Sequence, residues 1–419
     1  MADIIYILNK HPEMKNINIS TLANGLRVVC GKSDGNVAYI GVLTNAGSRD
    51  DFEGADGLAH FVEHTLFKGT PTKKSLTVSN RMELIGGELN AYTTKEEIML
   101  YTNAPAGYEQ RAIELLADLI NNACFPANDL ELERNVIKEE INSYHDNPSF
   151  AVFDEFDEFF YKGSSLAHNI LGYENTVDKI SSADCRDFIS RWFAPENMVI
   201  YCVTPTPAAR CLKLIEKYFG VIDRSFSGHN RLAPSPQPIF DITRHRDNHQ
   251  ANVVTGCGIF NSSDSRRFAL YLYSNLLGGS SMNSRLNREL REKRGLVYTT
   301  DSSISLYSDA GLFQVYYATD AANIDKCQKI VGREIDRLAS ARLSAKMLEQ
   351  AKKQICGQLL VSGENRESCA MNLAKGLMRH GEIHDNRYTA DRIMALSADE
   401  FYDIACFVAE AQFSRLVIS

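Results

Sequence analysis

The sequence lacks several features that would place it in a class of protein at once. It has no run of about 18 apolar residues, which excludes an ordinary transmembrane helix. The N-terminal residues do not join a basic start to a long apolar stretch and a small-residue cleavage site, so we expect no secretory signal. Positive charge is not in excess either. The formal net charge is -8, which argues against nucleic acid as a partner.

Closely spaced cysteines are also absent. The ten cysteines are scattered along the chain, and none forms a C-x-x-C pair. Isolated cysteines in a chain of 419 residues are typical of small buried side chains in a reducing compartment. We therefore expect a cytoplasmic protein with no membrane partner.

The length of the chain exceeds what one ordinary core holds and predicts two domains of about 200 residues each. A proline-rich stretch lies just past the middle, where Pro234, Pro236 and Pro238 alternate with other residues. Proline at every second position disfavours helix and strand pairing, so this stretch predicts an extended connection. We expect a domain at residues 1–224, a linker at 225–240 and a domain at 241–419.

The two halves of the sequence follow a similar plan. An apolar, β-rich run comes early in each, at residues 37–43 and 251–257, and a helical pattern follows. The two helical patterns end alike at residues 66–70 and 276–280, an offset of 210 residues that drifts later in the chain. The pattern predicts an α+β duplication, in which each domain has a mostly antiparallel sheet with helices packed on one side.

Two histidines at positions i and i+4 can bind one metal ion when both lie on a helix, because their side chains share a face. Three pairs have this spacing: His60 and His64, His245 and His249, and His380 and His384. The second and third pairs lie in polar stretches, and we interpret them as exposed histidines of a loop and of a helix end.

The first pair lies in GLAHFVEHTLF, a pattern that predicts a short helix. Asp56 is in a position to cap this helix, apolar residues recur at helical spacing, and Gly69 ends the pattern. Glu63 shares the face of His60 and can take a proton from a metal-bound water. Because the helix is otherwise apolar, burying these polar side chains is costly unless they have partners.

A catalytic zinc site needs a third protein ligand and one open position. The segment from Asp129 to His145 predicts a helix on which Glu133 and Glu140 lie two turns apart, on or beside the apolar face, whereas Glu139 points away. We take that apolar face to be Leu132, Val136, Ile137, Ile141 and Tyr144. Periodicity favours Glu140 as the ligand, but a solvated acidic face paired with Arg134 and Lys138 remains an alternative.

At this point the sequence resembles a known family. HFVEH, preceded by NAGSR and followed by FKGT, is similar to the inverted zinc motif of the pitrilysin, insulin-degrading enzyme and mitochondrial processing peptidase family. In that family a third ligand follows the second histidine by about 76 residues in a segment of the type E-R-x-V-I-x-x-E, and ERNVIKEE at 133–140 matches it. The resemblance implies one zinc ion per chain, bound by His60, His64 and Glu140, with Glu63 as the catalytic base. It also implies that Glu133 supports a ligand from behind.

The resemblance also concerns substrate binding. The segment GGELNAYT at 86–93 is similar to the family's strand that pairs with bound peptide, which implies contacts from Asn90, Ala91 and Tyr92. In the second half, Arg291 and Tyr298 resemble an Arg-to-Tyr pair that holds substrate at the zinc. An ordinary strand and an ordinary basic helix are the alternatives for these two segments.

The implied activity is zinc-dependent endopeptidase action on peptides or unfolded segments. Larger relatives join two such halves into a clamshell, so this chain resembles half of a clamshell and we expect a homodimer, with a heterodimer of related chains as an alternative. At the offset of 210, Leu270, Tyr273 and Ser274 stand where the first half has His60, Glu63 and His64. A non-catalytic or regulatory subunit and a peptide-binding scaffold remain as other functions.

Overall fold

The structure is a computed structural model that describes residues 15–246 and 249–419. The expectation about an N-terminal signal rests on residues outside these ranges. No helix within them is long and apolar enough to cross a membrane.

The first half of the chain begins with strands and continues with helices before a last central strand. Its elements are β1 (Lys15–Thr21), β2 (Arg27–Lys32), β3 (Val37–Thr44), α1 (Leu58–Thr65), β4 (Gly69–Thr70), β5 (Lys73–Lys74), α2 (Ser75–Glu83), β6 (Glu88–Thr93), β7 (Ile98–Pro105), α3 (Glu109–Asn122), α4 (Ala127–His145), α5 (Pro148–Phe160), α6 (Glu174–Val177), α7 (Ser182–Trp192), β8 (Met198–Thr204) and α8 (Ala208–Phe219).

The second half repeats this succession after residues 222–240, which form neither helix nor strand. Its elements are β9 (Asp241–Arg244), β10 (Ala251–Ile259), α9 (Arg267–Gly278), a π-helix (Asn287–Glu292), β11 (Val297–Leu306), β12 (Gly311–Thr319), α10 (Ile324–Ala339), α11 (Ala345–Ser362), α12 (Arg366–His380), α13 (Asn386–Ala395), α14 (Ala398–Glu410) and β13 (Ser414–Ile418).

The two main sheets have the same topology, which confirms the predicted duplication. The first sheet has the order β1-β2-β8-β3-β7-β6, and the second has the order β9-β13-β10-β12-β11. Apart from the extra β1, the strands correspond one to one in chain order. Even the exception to antiparallel pairing is repeated, because β2 pairs with β8 in parallel and β9 pairs with β13 in parallel.

Each sheet packs one face against helices of its own half. In the first sheet, Val28, Ile40 and Ile200 face a core that includes residues of α1, α3, α7 and α8. In the second, Val253 and Val315 face a core formed with α9, α10, α11 and α14. Alternate residues along a strand point to opposite faces, so each sheet has a second apolar face that these helices leave uncovered.

The second face of each sheet is covered by a helix from the other half of the chain. Residues of α12 such as Leu373 and Leu377 pack against Val29 and Tyr201 of the first sheet. Residues of α5 such as Val152 and Phe156 pack in the same way against the second sheet. The predicted limits 1–224, 225–240 and 241–419 stay a prediction. Each main sheet contains strands of one half only. However, α5 of the first half packs on the second sheet and α12 of the second half packs on the first sheet, so these two helices hold the halves together.

A buried ion-pair network joins the halves near the ends of β6 and β11. The side chain of Arg49 is 0% exposed; its Nη1 lies 2.6 Å from Glu96 Oε1 and its Nη2 lies 2.6 Å from Asp309 Oδ2. Arg49 also donates to the Leu232 carbonyl of the linker at 3.0 Å. Ser308, beside Asp309, donates its backbone N–H to Glu96 Oε2 at 2.9 Å. Because Asp309 and Ser308 belong to the turn between β11 and β12, this network fixes that turn against the first half.

Candidate metal centre

Helix α1 begins at Gly57, where the backbone passes so close to another segment of the chain that only glycine fits. Gly57 has φ 93° at the N-cap, and a Cβ there would lie 2.6 Å from the Leu171 carbonyl oxygen. The carboxylate of Asp51 accepts from the N–H groups of Gly57 at 2.8 Å and Ala59 at 2.7 Å. The prediction that Asp56 caps the helix is therefore wrong, because Asp51 reaches the free N–H groups first. Asp56 instead lies 3.0 Å from His168 Nδ1.

Two imidazoles and one carboxylate converge between α1 and α4. His60 Nε2 lies 3.7 Å from Glu140 Oε2, and His64 Nε2 lies 3.5 Å from the same oxygen. All three side chains offer ligand atoms within 4.8 Å of one another, and no other trio of this kind occurs in the described parts of the chain. Zinc bonds of about 2.1 Å in a tetrahedron separate ligand atoms by roughly 3.4 Å. Two imidazole nitrogens and a carboxylate oxygen at these distances fit a zinc ion.

The two histidine rings differ in the contacts that their Nδ1 atoms make. His64 Nδ1 lies 2.9 Å from Glu133 Oε1, which leaves Nε2 for a metal. Glu133 also pairs with Lys68. A carboxylate behind a ligand histidine fixes the ring and raises its basicity. By contrast, His60 Nδ1 is buried with no hydrogen-bond partner among the described residues.

Burial and neighbouring charges shift the protonation of these groups. Burial, followed by the nearby charge of His64, lowers the pKa of His60 to about 3, so this ring is neutral. Burial acts against the charged form of His64 too, but the hydrogen bond to Glu133 and the carboxylates of Glu63 and Glu140 outweigh it and raise the pKa of His64. Burial raises the pKa of Glu63, which His64 and Thr93 partly oppose. A neutral His60 is ready to bind a metal ion.

The buried face of α4 differs from the predicted one. Leu132 is 66% exposed, Val136 52% and Tyr144 41%, although we expected all three to face the core. The buried residues of α4 are instead Leu130, Glu133, Arg134 and Ile137. This side turns inward because Arg134 donates to the Val177 and Ile180 carbonyls while Glu133 binds His64. The choice between Glu139 and Glu140 is unaffected, since Glu139 is exposed and Glu140 faces the histidines.

Glu63 lies on α1 with its carboxylate between the histidines and the edge of the first sheet. It is 9% exposed, and its Oε2 accepts a hydrogen bond from Thr93 Oγ1 at 2.9 Å. Sequence reasoning missed Thr93, although it follows Asn90, Ala91 and Tyr92 in the same segment. Nothing in the local pattern marks Thr93 as special, because its contact joins positions 30 residues apart.

The strand that carries Asn90, Ala91 and Tyr92 is the edge strand β6. Within the described strands it pairs only with β7, so its other edge has no strand partner there. The Tyr92 side chain packs beneath this strand against the other half of the chain. Lys375 Nζ of α12 lies 5.1 Å from the Tyr92 ring, and Tyr92 Oη donates to Glu97 at 3.3 Å.

Arg291 and Tyr298 lie together in the second half of the chain. Arg291 is on the π-helix and Tyr298 on β11, with the guanidinium carbon 5.6 Å from the ring centroid. Tyr298 is 76% exposed. Within residues 15–246 and 249–419, neither side chain has a hydrogen bond or ion pair with His60, His64 or Glu140. The structure therefore brings the two members of the predicted pair together.

The other two histidine pairs have no metal-ligand trio around them in the described residues. His380 ends α12, and its ring stacks on His384 with centroids 4.2 Å apart. The prediction that this pair is exposed is wrong, because the stacked rings are half-buried. His245 and His249 are exposed.

A duplicated α+β fold with an H-x-x-E-H helix and a distant glutamate in one copy defines the class of inverted-motif zinc peptidases. Comparisons with known proteins agree. The model of the Insulinase (Peptidase family M16) family matches residues 27–174, and the Peptidase M16 inactive domain model matches residues 179–355. The chain belongs to peptidase family M16.

A curated relative supports the same family, and two solved structures share the fold. The chain is 32% identical to the uncharacterized zinc protease YmxG of Bacillus subtilis (strain 168), over 83% of this chain and 85% of that protein. The crystal structure of a protease from Helicobacter pylori has a TM-score of 0.88 at 20% identity, over 97% of this chain and 100% of that one. A peptidase M16 inactive domain from Pseudomonas fluorescens also has a TM-score of 0.88, at 18% identity, over 96% and 97%. At these identities the two structures show the fold alone.

Proposed function

We propose that the chain is a zinc-dependent endopeptidase that hydrolyses peptides or unfolded segments of proteins. The observation that carries this proposal is the convergence of His60, His64 and Glu140, with the carboxylate of Glu63 on the same helix. The name zinc protease that relatives bear supports the same class of reaction.

The proposed residue roles follow from the geometry of the cluster. His60, His64 and Glu140 would hold one zinc ion, which when bound supplies a Lewis acid that lowers the pKa of a water toward about 7. Glu63 accepts the proton of the attacking water and passes it to the leaving amine. Glu133 keeps the His64 ring in the orientation that directs Nε2 to the ion.

The proposed substrate is an extended peptide that adds as a further strand to the free edge of β6. The backbone N–H and C=O groups of Asn90, Ala91 and Tyr92 would bind it without regard to its side chains. An edge strand next to the base would place a peptide carbonyl beside Glu63. The many buried cysteines fit a reducing compartment, such as the cytoplasm.

The proposed assembly is a homodimer that completes each site from two chains. One chain would contribute the zinc ligands and Glu63, and its partner would contribute Arg291 and Tyr298. A cation and a phenol so placed can orient a peptide carbonyl and stabilise its oxyanion. The exposure of Tyr298 supports this arrangement, because a side chain 76% exposed in one chain is available to another.

Digestion of a mixed peptide pool tests the activity. Wild-type chain should cleave it, chelator should abolish cleavage, and added zinc should restore it. Glu63→Gln should bind zinc as the wild type does and cleave nothing. Cleavage by Glu63→Gln at the wild-type rate would show that Glu63 is not the base.

Mixing two inactive variants tests the assembly. Glu63→Gln and Arg291→Ala should each be defective alone, and a mixture should regain activity because each heterodimer holds one intact site. Without any recovery in verified heterodimers, the sites would not be shared between chains.

A second candidate function is a non-catalytic subunit or a peptide-binding scaffold. The match of residues 179–355 to a domain described as inactive favours it for the second half. Zinc content separates the candidates, since a scaffold would bind peptide without zinc and leave the pool uncut.

A further inference from the structure

The base of the proposed reaction is held by a threonine at the end of the edge strand. Thr93 Oγ1 donates to Glu63 Oε2 at 2.9 Å. A carboxylate without such a partner can rotate about its last bond, because terminal sp³–sp² torsions are broad. One hydrogen bond to Oε2 fixes that rotation and assigns the other oxygen to the reacting side.

The alternation of β6 explains why Thr93 reaches Glu63. Leu89 and Ala91 pack against the core that contains α1, whereas Tyr92 packs against the face covered by α12. Successive side chains of a strand point to opposite faces, so Thr93 shares the α1 side with Leu89 and Ala91. It is the residue of β6 that presents a hydroxyl to the helix.

We propose that Thr93 is a positioning residue, which holds Glu63 in register with the peptide bound along β6. This inference rests on the proposed function, since it assigns Thr93 a task in peptide hydrolysis. One strand then positions both reactants, because its backbone binds the peptide and its last side chain orients the base. Such alignment is a large part of catalytic rate, and a displacement of about 1 Å can cost roughly 100-fold.

The turn that follows Thr93 is held by the second half of the chain. Thr94 N–H donates to the Glu97 carbonyl at 2.8 Å and closes the turn into β7. Glu96 in that turn binds Arg49 and Ser308, and Glu97 pairs with Lys375 at 2.7 Å and Arg379 at 2.8 Å on α12. The second half, which contributes no residue to the His60–His64–Glu140 cluster, thus fixes the strand end from which Thr93 holds the base.

The variants Thr93→Val and Thr93→Ser separate positioning from a merely structural role. Valine keeps the branched shape and removes the hydroxyl, whereas serine keeps the hydroxyl. We expect Thr93→Val to lower kcat roughly 10- to 100-fold with KM within about twofold. Thr93→Ser should recover kcat to within about threefold of the wild type.

Thr206→Val is the matched control. Its hydroxyl also donates to a glutamate, Glu109 Oε1 at 2.8 Å, but on the loop before α8. This variant should leave kcat unchanged. Thermal unfolding of all three variants verifies that they fold.

One further readout does not depend on hydrolysis. In a Glu63→Gln background, Thr93→Val should leave zinc content and the affinity for an uncleaved model peptide unchanged. Glu96→Ala, which loosens the turn, should lower kcat in the same direction but less.

Each outcome decides the inference. Wild-type kcat in Thr93→Val, an equal defect in Thr93→Ser, or loss of zinc or peptide binding in Thr93→Val would overturn it while leaving the proposed function in place. A wild-type chain that shows no zinc-dependent hydrolysis would overturn both.

Discussion

Helices α1 and α9 occupy the same place in two copies of one topology, yet their inward faces differ in chemistry. In α1, His60 and Glu63 are 6% and 9% exposed and lie against the acids of α4. In α9, Leu270 and Tyr273 are 0% exposed and belong to an apolar core. Glu63 of α1 binds Thr93 of β6. In α9, Ser274, at the position that corresponds to His64, binds Ser302 of β11, with hydroxyl oxygens 2.9 Å apart.

The difference shows that this helix position does not need histidine or glutamate to fold. The second half satisfies it with apolar packing and one pair of serines. Polar side chains in the first half are costly to bury unless they are paired. Their presence there is better explained by chemistry than by packing.

Placing the residues of α9 at the histidine positions of α1 should have the largest effect. His60→Leu combined with His64→Ser should abolish zinc binding and reduce hydrolysis to background. The metal-free fold should persist, because His60 is already neutral, its pKa lowered to about 3 by burial and by His64, and leucine suits its apolar surroundings. Zinc content and thermal unfolding check both parts.

The matched control makes the same changes in the exposed pair, as His245→Leu with His249→Ser. It should leave zinc content and hydrolysis unchanged. Zinc retained by the α1 double variant would place the metal elsewhere.

Arg49→Ala tests whether the two halves are separable. It leaves two carboxylates, Glu96 and Asp309, without their buried partner, and breaking such a pair costs about 3 kcal/mol. Denaturant unfolding should show that loss, and a smaller change in Arg342→Ala, whose ion pair with Asp399 is exposed. Equal stability of Arg49→Ala and the wild type would mean that packing of α5 and α12 suffices.

Glu133→Gln tests how much the carboxylate behind His64 contributes to zinc affinity. A neutral amide supports the His64 ring less well than a carboxylate, so zinc affinity should fall roughly 10- to 100-fold. Competition with a metal-binding dye measures it. Glu139→Gln, exposed on the same helix, should bind zinc like the wild type, and an equal loss there would point to general charge instead.

The smallest effect is expected in the second half. Ser274→Ala removes the buried contact with Ser302 and should cost about 1 kcal/mol of unfolding free energy. Zinc content and hydrolysis should stay the same. A fall in either would show that α9 contributes directly to the site.

The sequence predicted those features that residue spacing and motifs indicate. The helix of HFVEH, the duplicated halves and the choice of Glu140 over Glu139 rest on spacing and resemblance, and the structure has them. The family and the α+β fold are confirmed. Zinc itself and the roles of the site residues stay predictions.

Features that depend on distant contacts could not be predicted in the same way. The prediction of which side of α4 is buried was wrong, because Arg134 and Glu133 bind partners on other elements. Thr93 was missed for the same reason, as was the exchange of α5 and α12 between the sheets. In each case the deciding partner lies far away in the sequence.

The most direct test of a single zinc site in the first half is a zinc titration of metal-free protein, with hydrolysis of a quenched peptide as the readout. We expect no hydrolysis without metal and a linear rise that saturates at one zinc per chain. The double variant His60→Leu with His64→Ser should show no hydrolysis at any zinc concentration. Hydrolysis by the metal-free chain, or saturation at a different stoichiometry, would contradict a single zinc site in the first half.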